Sequence, residues 1–460
     1  MNPEIENQPR DMEAVNEEKH QPGDTGVLDP DVQAASPIPY RDDAFGDEHD
    51  AEIKYKVLKW WQCGLLMVAM TISLGILALP AAVAGVGLAP AVVILIGLGI
   101  LCSYTGYVIG QFKLRYPHIS GMADAGEVLM GGFGRELFFG AQLLFLIFIM
   151  ASHIVTFIAA MNTITGHATC SIVFGVVGLV VSMLLSLPRT LKNMSWLSMA
   201  SFTSIFCAVL VTMIAVGVQR MPPKVGPTVD TNLVTGFTSA SNVVFAFASH
   251  NAFFNFMAEL KDPKDFTKSL ALTQSLDISL YLIAAVVIYC YVGEDVPSPA
   301  LGAAGPVVSK VAYGIALPTI IIAGVLTGHV ASKSIYVRVF AGTNRMQKRD
   351  FVAVGSWVAI GLSLWIVSWI IAEAIPVFNN LLSLMTALFA SWFCLGIPGI
   401  FWLYMNYHRW FSSFSKIALT FVNLLCLCCG IVLCGLGLYT SGKAIHDNPQ
   451  SQSFSCASTE

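Results

Sequence analysis

The chain has 460 residues, of which 55% are hydrophobic and only 12% are Asp, Glu, Lys or Arg; its mean hydropathy is +0.68. An ordinary soluble domain carries roughly 25% charged residues, and a soluble protein with this much apolar chain would have too little polar surface to face water. The formal net charge of −4 gives no sign of a nucleic-acid partner, because 14 of the 29 carboxylates lie within the first 50 residues.

Those first residues are a separate material. Segment 1–51 holds 14 acidic and three basic side chains up to residue 50, several prolines and no apolar period. Such a segment buries too little surface to offset its ordering entropy, so a disordered, acidic cytosolic tail is expected. The first apolar block starts near residue 58 and is too long for a cleavable signal peptide.

From there apolar blocks of the length that crosses a hydrocarbon core of about 30 Å follow one another. The predicted spans are 58–84, 88–111, 136–161, 170–187, 194–217, 236–257, 271–292, 309–331, 351–372, 379–404 and 417–440, with 441–460 as a short extracytosolic tail. With the N-terminus in the cytosol, 18 lysines and arginines fall on the inner side. Only Arg220, Lys224, Lys310 and Lys443 fall outside. That asymmetry predicts eleven spans, the N-terminus cytosolic and the C-terminus extracytosolic. The run from Lys333 to Arg349 reads as a cytosolic topology anchor, with contact to anionic membrane lipids as the secondary reading. Ten of the eleven cysteines lie in or beside apolar spans and are expected to act as small hydrophobes. The sequon Asn193-Met194-Ser195 falls in a predicted cytosolic loop, out of reach of glycosylation.

Two spans carry signs of interruption. The first reads TISLGILALPAAVAGVG, with Gly75, Pro80, Gly85 and Gly87 behind the polar Thr71 and Ser73. The sixth reads SNVVFAFASHNAFFNFMAELKDP, with Ser249, His250 and Asn251 at mid-span. Three successive polar residues at that depth are costly unless they line protein or a wet cavity. Spans one and six are equivalent if the first ten form two units of five, the plan of inverted-repeat transporters.

At these residues the chain resembles the amino acid/auxin permease family, closest to the fungal neutral amino acid permeases. The resemblance rests on GILALP (Gly75 to Pro80), YPHISGMADAGEVLMGGFGR (Tyr116 to Arg135) and MAELKDP (Met257 to Pro263), and it covers residues 52–440. It implies an all-α polytopic membrane protein of LeuT-like plan. Eleven transmembrane helices are expected, ten in a five-plus-five inverted repeat with broken first and sixth helices, plus one extra. It implies secondary transport of neutral aliphatic and aromatic amino acids, at the plasma membrane or, in related members, the vacuolar membrane. The coupling ion would be a proton, as in fungal and plant members, with sodium, common in animal members, as the alternative. No cofactor and no catalytic residue are implied. The family's break in helix one maps onto Ser73, Leu74, Gly75, Ile76 and Leu77, and the helix-six site onto Phe247, Ala248, Ser249, His250 and Asn251. Some animal relatives have a proline where this chain has Asn251.

A zwitterionic substrate needs both its charges matched in a low-dielectric site. Its carboxylate is expected at backbone N–H groups near Gly75, and its ammonium at carbonyls of the two breaks with Ser73 or Ser249. Phe245 or Phe247 would wall the side-chain pocket. Spans one and six hold no deep carboxylate, which agrees with neutral substrates. For a proton carrier the candidates are His250, beside the expected substrate, then His153, His329, Asp277 and Glu373. An interhelical hydrogen bond is the alternative for His153 and His329. Thr327 is an ion or substrate contact by family position only. Glu259, with Lys261 and Asp262, reads as a cytosolic gate or plain capping. A channel would need a continuous polar pore, which the isolated polar residues do not supply; a non-transporting amino acid sensor is the other alternative.

Overall fold

The computed structural model describes residues 56–189, 194–219, 225–340, 343, 350–447 and 453–456. The expected acidic tail and the sequon at Asn193 lie outside them. Within this set the chain is helical: α1 (Trp60–Val86), α2 (Leu88–Arg115), α3 (Met122–Thr165), α4 (Ser171–Leu185), α5 (Met194–Gln219) and α6 (Leu233–Ala246). There follow α7 (Phe253–Glu259), α8 (Phe266–Val292), α9 (Pro306–Phe340), α10 (Phe351–Ala374), α11 (Phe378–Met405) and α12 (Phe414–His446). Among the described residues nine helices are long and apolar enough to cross a membrane; α4 is shorter, at 15 residues, and α6 and α7 are separated by an irregular stretch.

The turns follow from residues that free or satisfy backbone groups. Gly87 ends α1 at φ 87°, and its N–H donates to the Val83 carbonyl. Positive φ suits glycine, and a Cβ there would stand 2.7 Å from the Thr228 Cα. The chain re-enters helix at once, and the unpaired N–H groups that open α2 meet loop carbonyls: Ala89 N–H donates to Pro227 O at 2.9 Å. Asn232 caps α6 by accepting from Thr235 N–H, and Asp350 caps α10 by accepting from Ala353 N–H. In α3 the helix is kinked at Met130 and Gly131, where Gly131 takes φ 63°. The residues before that kink fold back against those behind it, with Gly126 in close contact with Gly134 and Phe138.

Packing sorts the helices into two groups. One contains α1, α2, α6, α7 and α8, with α7 joined through α2; the other contains α3, α4, α9 and α10. Helix α1 is the centre, with 89% of its most apolar window buried, whereas the matching window of α12 is 22% buried. Helix α12 keeps Phe421, Leu425, Ile431 and Tyr439 exposed, an apolar outer surface that suits lipid.

Helices α1 and α8 run parallel, with α8 reaching α1 at every fourth residue. Ser269 donates to Trp60 O, Thr273 to Gly64 O, Thr71 to Asp277, and Gly75 lies against Tyr281. Small and hydroxyl-bearing residues at these steps let the two backbones approach closely, the device by which membrane helices associate.

Two expectations change here. Helix α1 is continuous from Trp60 to Val86, so the expected break at Ser73–Leu77 is not seen. Pro80 removes a single N–H, which frees the Ile76 carbonyl but leaves the N–H groups of 73–77 within the helix. Cys170 is not a solitary small hydrophobe: it forms a disulfide with Cys456, and α12 continues to His446, beyond the predicted start of the tail.

Candidate functional site

The helical path of the sixth span stops at Ala246. Residues 247–249 are irregular, His250–Ala252 form one tight turn, and α7 resumes at Phe253. The carbonyls released by this break find side chains on neighbouring helices. Tyr281 Oη donates to Ala246 O at 2.8 Å, and Gln142 Nε2 donates to Asn251 O at 2.6 Å. The break is thus held from α8 on one side and α3 on the other. Gly75 makes the contact with α1: a Cβ at this position would lie 2.8 Å from the Ala246 Cα and 3.1 Å from the Tyr281 hydroxyl. The glycine of GILALP acts by closeness, in a regular helix.

Around this contact polar side-chain atoms are buried without a partner among the described residues. They are Ser73 Oγ on α1, Ser241 Oγ on α6, Ser249 Oγ and both amide atoms of Asn251 in the break, and Gln274 Nε2 and Asp277 Oδ2 on α8. A buried polar group without a partner costs about 1–3 kcal/mol. Natural proteins keep few of them, so their concentration on three touching elements marks a place built to meet a ligand or water. Phe245 and Phe247 are buried beside it, and the Phe247 ring meets Tyr281 edge-on at 5.3 Å.

Among the expected residues, Ser73, Leu74, Gly75, Ile76 and Leu77 and the stretch Phe245 to Asn251 are brought onto adjoining elements. His250 turns to α2, with Nε2 2.9 Å from Cys102 O and 3.1 Å from Thr105 Oγ1. A carbonyl only accepts, so Nε2 carries the hydrogen and Nδ1 is the bare nitrogen. His153 Nδ1 donates to Ile320 O at 2.8 Å, joining α3 to α9. His329 Nδ1 donates to Pro188 O at 3.0 Å, with its ring edge-on to Trp357. Thr327 donates within its own helix to Ala323 O. Glu373 closes α10 beside Gly175 and Trp369, and its backbone carbonyl accepts from Phe454 N–H. These last four belong to the α3–α4–α9–α10 group.

Several residues at the break escaped the sequence reading. Gln142, Tyr281 and Thr105 each serve it from another helix, and single polar residues in apolar spans are too common to select alone. Asp277 with Tyr281 four residues on did carry a signal, two polar groups on one face of a span. Lys333 is more than a topology anchor. It forms a buried ion pair with Glu259, joining α9 to α7. Leu58, ahead of α1, exchanges backbone hydrogen bonds of 3.0 Å with Glu259 and Lys261.

Residues 56–442 match the family model described as transmembrane amino acid transporter protein. The N amino acid transport system protein of Neurospora crassa is 34% identical over 426 residues, covering 89% of this chain and 91% of that one. Among solved structures, a Na+-coupled sialic acid symporter, in a substrate-bound outward-open state with a Na+ site, matches with a TM-score of 0.52. The match is 11% identical and covers 85% of this chain and 91% of that one. MhsT, in complex with L-phenylalanine, matches with a TM-score of 0.50 at 13% identity, over 85% of this chain and 99% of that one. The fold is therefore all-α, polytopic and LeuT-like. The expectation of a proton as coupling ion is corrected by the same likeness, since the symporter so matched is Na+-coupled.

Proposed function

The chain belongs to the transmembrane amino acid transporter family, and we propose that it is a Na+-coupled symporter of neutral amino acids working by alternating access. The observation that carries this reading is the break at 247–252, packed against Gly75 and surrounded by buried polar atoms without partners. Backbone groups released there match the charges of an amino acid without a catalytic side chain. The zwitterion's ammonium meets the carbonyls of the break and Ile76, with Ser73 and Ser249 as hydroxyl partners. Because α1 is unbroken, its carboxylate meets the side-chain amide of Asn251 in the break. Phe245 and Phe247 favour an apolar substrate side chain.

Nine long helices, the shorter α4 and the α6–α7 pair give eleven crossings on this reading. Two units of five are supported by the way α1 faces α6, α2 faces α8, α3 faces α9 and α4 faces α10. The movement is of the α1–α2–α6–α7–α8 group against the α3–α4–α9–α10 group. The Cys170–Cys456 disulfide supports an extracytosolic C-terminus, because disulfides persist in oxidising compartments. With the positive charge on the opposite side, this reading has the N-terminus in the cytosol, and the plasma membrane is its proposed location.

Uptake of labelled leucine, phenylalanine, glutamate and lysine by permease-deficient yeast expressing the chain tests the proposal. Saturable uptake of leucine and phenylalanine that falls when choline replaces sodium is expected. Absence of uptake from folded protein at the cell surface would overturn transport at that membrane. Uptake indifferent to sodium would overturn the coupling ion alone.

A further inference from the structure

Three helix ends meet around the short connection 406–413. Arg115, the last residue of α2, donates from its guanidinium to Met405 O at 2.8 Å, and Lys416, in the first turn of α12, donates to Asn406 Oδ1. Two cations from different helices are thus brought to adjacent residues at the end of α11. The connection between them is fixed: Trp410 Nε1 donates back to Leu403 O at 2.9 Å, and Thr420 of α12 donates to Trp410 O at 3.0 Å. His408 and Arg409 are exposed on this frame, and from Ala374 to His446 the chain contains no Asp or Glu. Arg115, Arg409 and Lys416 enter none of the ion pairs among the described residues.

The same corner exposes large rings. Tyr407 is exposed, and Phe411 and Phe414 are 69% and 87% exposed. Phe414, Ala418, Phe421 and Leu425 follow along α12 at steps of four, three and four residues, so they share one face, and all are exposed. An apolar stripe that starts at a cluster of cations is the pattern of a surface that meets membrane lipid.

We propose that this corner binds an anionic glycerophospholipid, its phosphate held by Arg409, Lys416 and Arg115 and its acyl chains laid along the Phe414–Leu425 face of α12. A guanidinium has five N–H donors, of which the Met405 contact uses one, and it pairs with phosphate oxygens through two at once. A headgroup with its own cation would leave the positive charge of the corner in excess, whereas a net negative one neutralises it. On the topology proposed above this end faces the cytosol, whose leaflet carries the negative surface potential. Only the choice of leaflet rests on that topology, and the lipid site is independent of the transport reading.

The test follows thermal unfolding of the purified full-length chain in phosphatidylcholine nanodiscs in which phosphatidylserine is raised stepwise at constant ionic strength. The wild type is expected to gain a saturable stabilisation. Arg409→Gln is expected to need about fivefold more phosphatidylserine for half-maximal effect, the loss of one surface charge. Arg409→Gln combined with Lys416→Gln should abolish the response. Lys443→Gln, which removes a charge at the far end of α12, should titrate like the wild type. Should the double variant fail to fold, Arg409→Gln decides, because the Arg409 side chain makes no hydrogen bond or ion pair among the described residues. A wild type indifferent to phosphatidylserine overturns the site, and so does Arg409→Gln titrating like the wild type. Equal losses in Lys443→Gln and Arg409→Gln would reduce the effect to diffuse surface charge and overturn it as well. Stabilisation of the same size by soluble glycerophosphoserine, which has no acyl chains, would make the corner a free-phosphate site and sink the lipid assignment.

Discussion

Gly75 lies in a helix of ordinary geometry, and its importance is steric. A methyl group at this position would press on Ala246 and the Tyr281 hydroxyl. Neither neighbour is free to give, because Tyr281 is fully buried and bonded to Ala246 O, and Ala246 is the last helical residue before the break. Overpacking of this kind costs about 1–3 kcal/mol. Gly75→Ala is therefore expected to lower the unfolding temperature and to cut leucine uptake severalfold. Gly64→Ala serves as comparison, since its closest neighbour is the movable end of the Leu272 side chain. Equal losses in the two variants would count against a special role for Gly75.

Helix ends carry the next level of organisation. Helix α7 finishes at Glu259, whose carboxylate is paired with Lys333 from α9, while Leu58 stitches the start of α1 to the same end. The ion pair bridges the two packing groups that alternating access would move apart. Breaking a buried pair by removing one partner costs about 3–5 kcal/mol, because the other charge stays buried. Glu259→Gln and Lys333→Met should each lower the unfolding midpoint strongly. The double variant should recover part of the loss, with a coupling of about 0.5–3 kcal/mol by thermal unfolding of all four proteins. Additive losses would mean that the two side chains act separately. The expectation of a gate or plain capping at Glu259 read its charge from sequence, yet the partner lies 74 residues away on another helix.

Across the molecule, the distribution of lysine and arginine and the disulfide speak to the same question from opposite sides. On the proposed topology the basic residues set the inner face, and Cys170 with Cys456 joins the α3–α4 connection to the chain beyond α12. Ser453 and Phe454 add hydrogen bonds to Ala374 O and Glu373 O, which lay the tail over the end of α10. In intact cells, treatment with a membrane-impermeant reductant followed by an impermeant maleimide is expected to label both cysteines. Cys456→Ser should expose Cys170 to the maleimide without any reductant. Labelling that requires permeabilised cells would place this face on the cytosolic side and reverse the topology.

Much of the architecture was legible in one dimension because the bilayer imposes one-dimensional rules. Spans need a fixed apolar length and basic residues collect on one side, so the elements and their proposed orientation could be read from 460 letters. The polar triplet Ser249-His250-Asn251 likewise announced the interruption of the sixth span. Contacts between helices were not legible, because each span offers several faces and the sequence does not say which one meets which neighbour. For that reason α1 was expected to break where it only approaches closely, and Cys170 was read as a hydrophobe although its partner lies 286 residues away. Only the tertiary structure decided that the three histidines are bonded to carbonyls, that Tyr281 and Gln142 hold the break, and that Asp277 meets Thr71. Each of those depends on helix rotation and depth, which are settled by packing against neighbours and not by the local pattern of apolar residues.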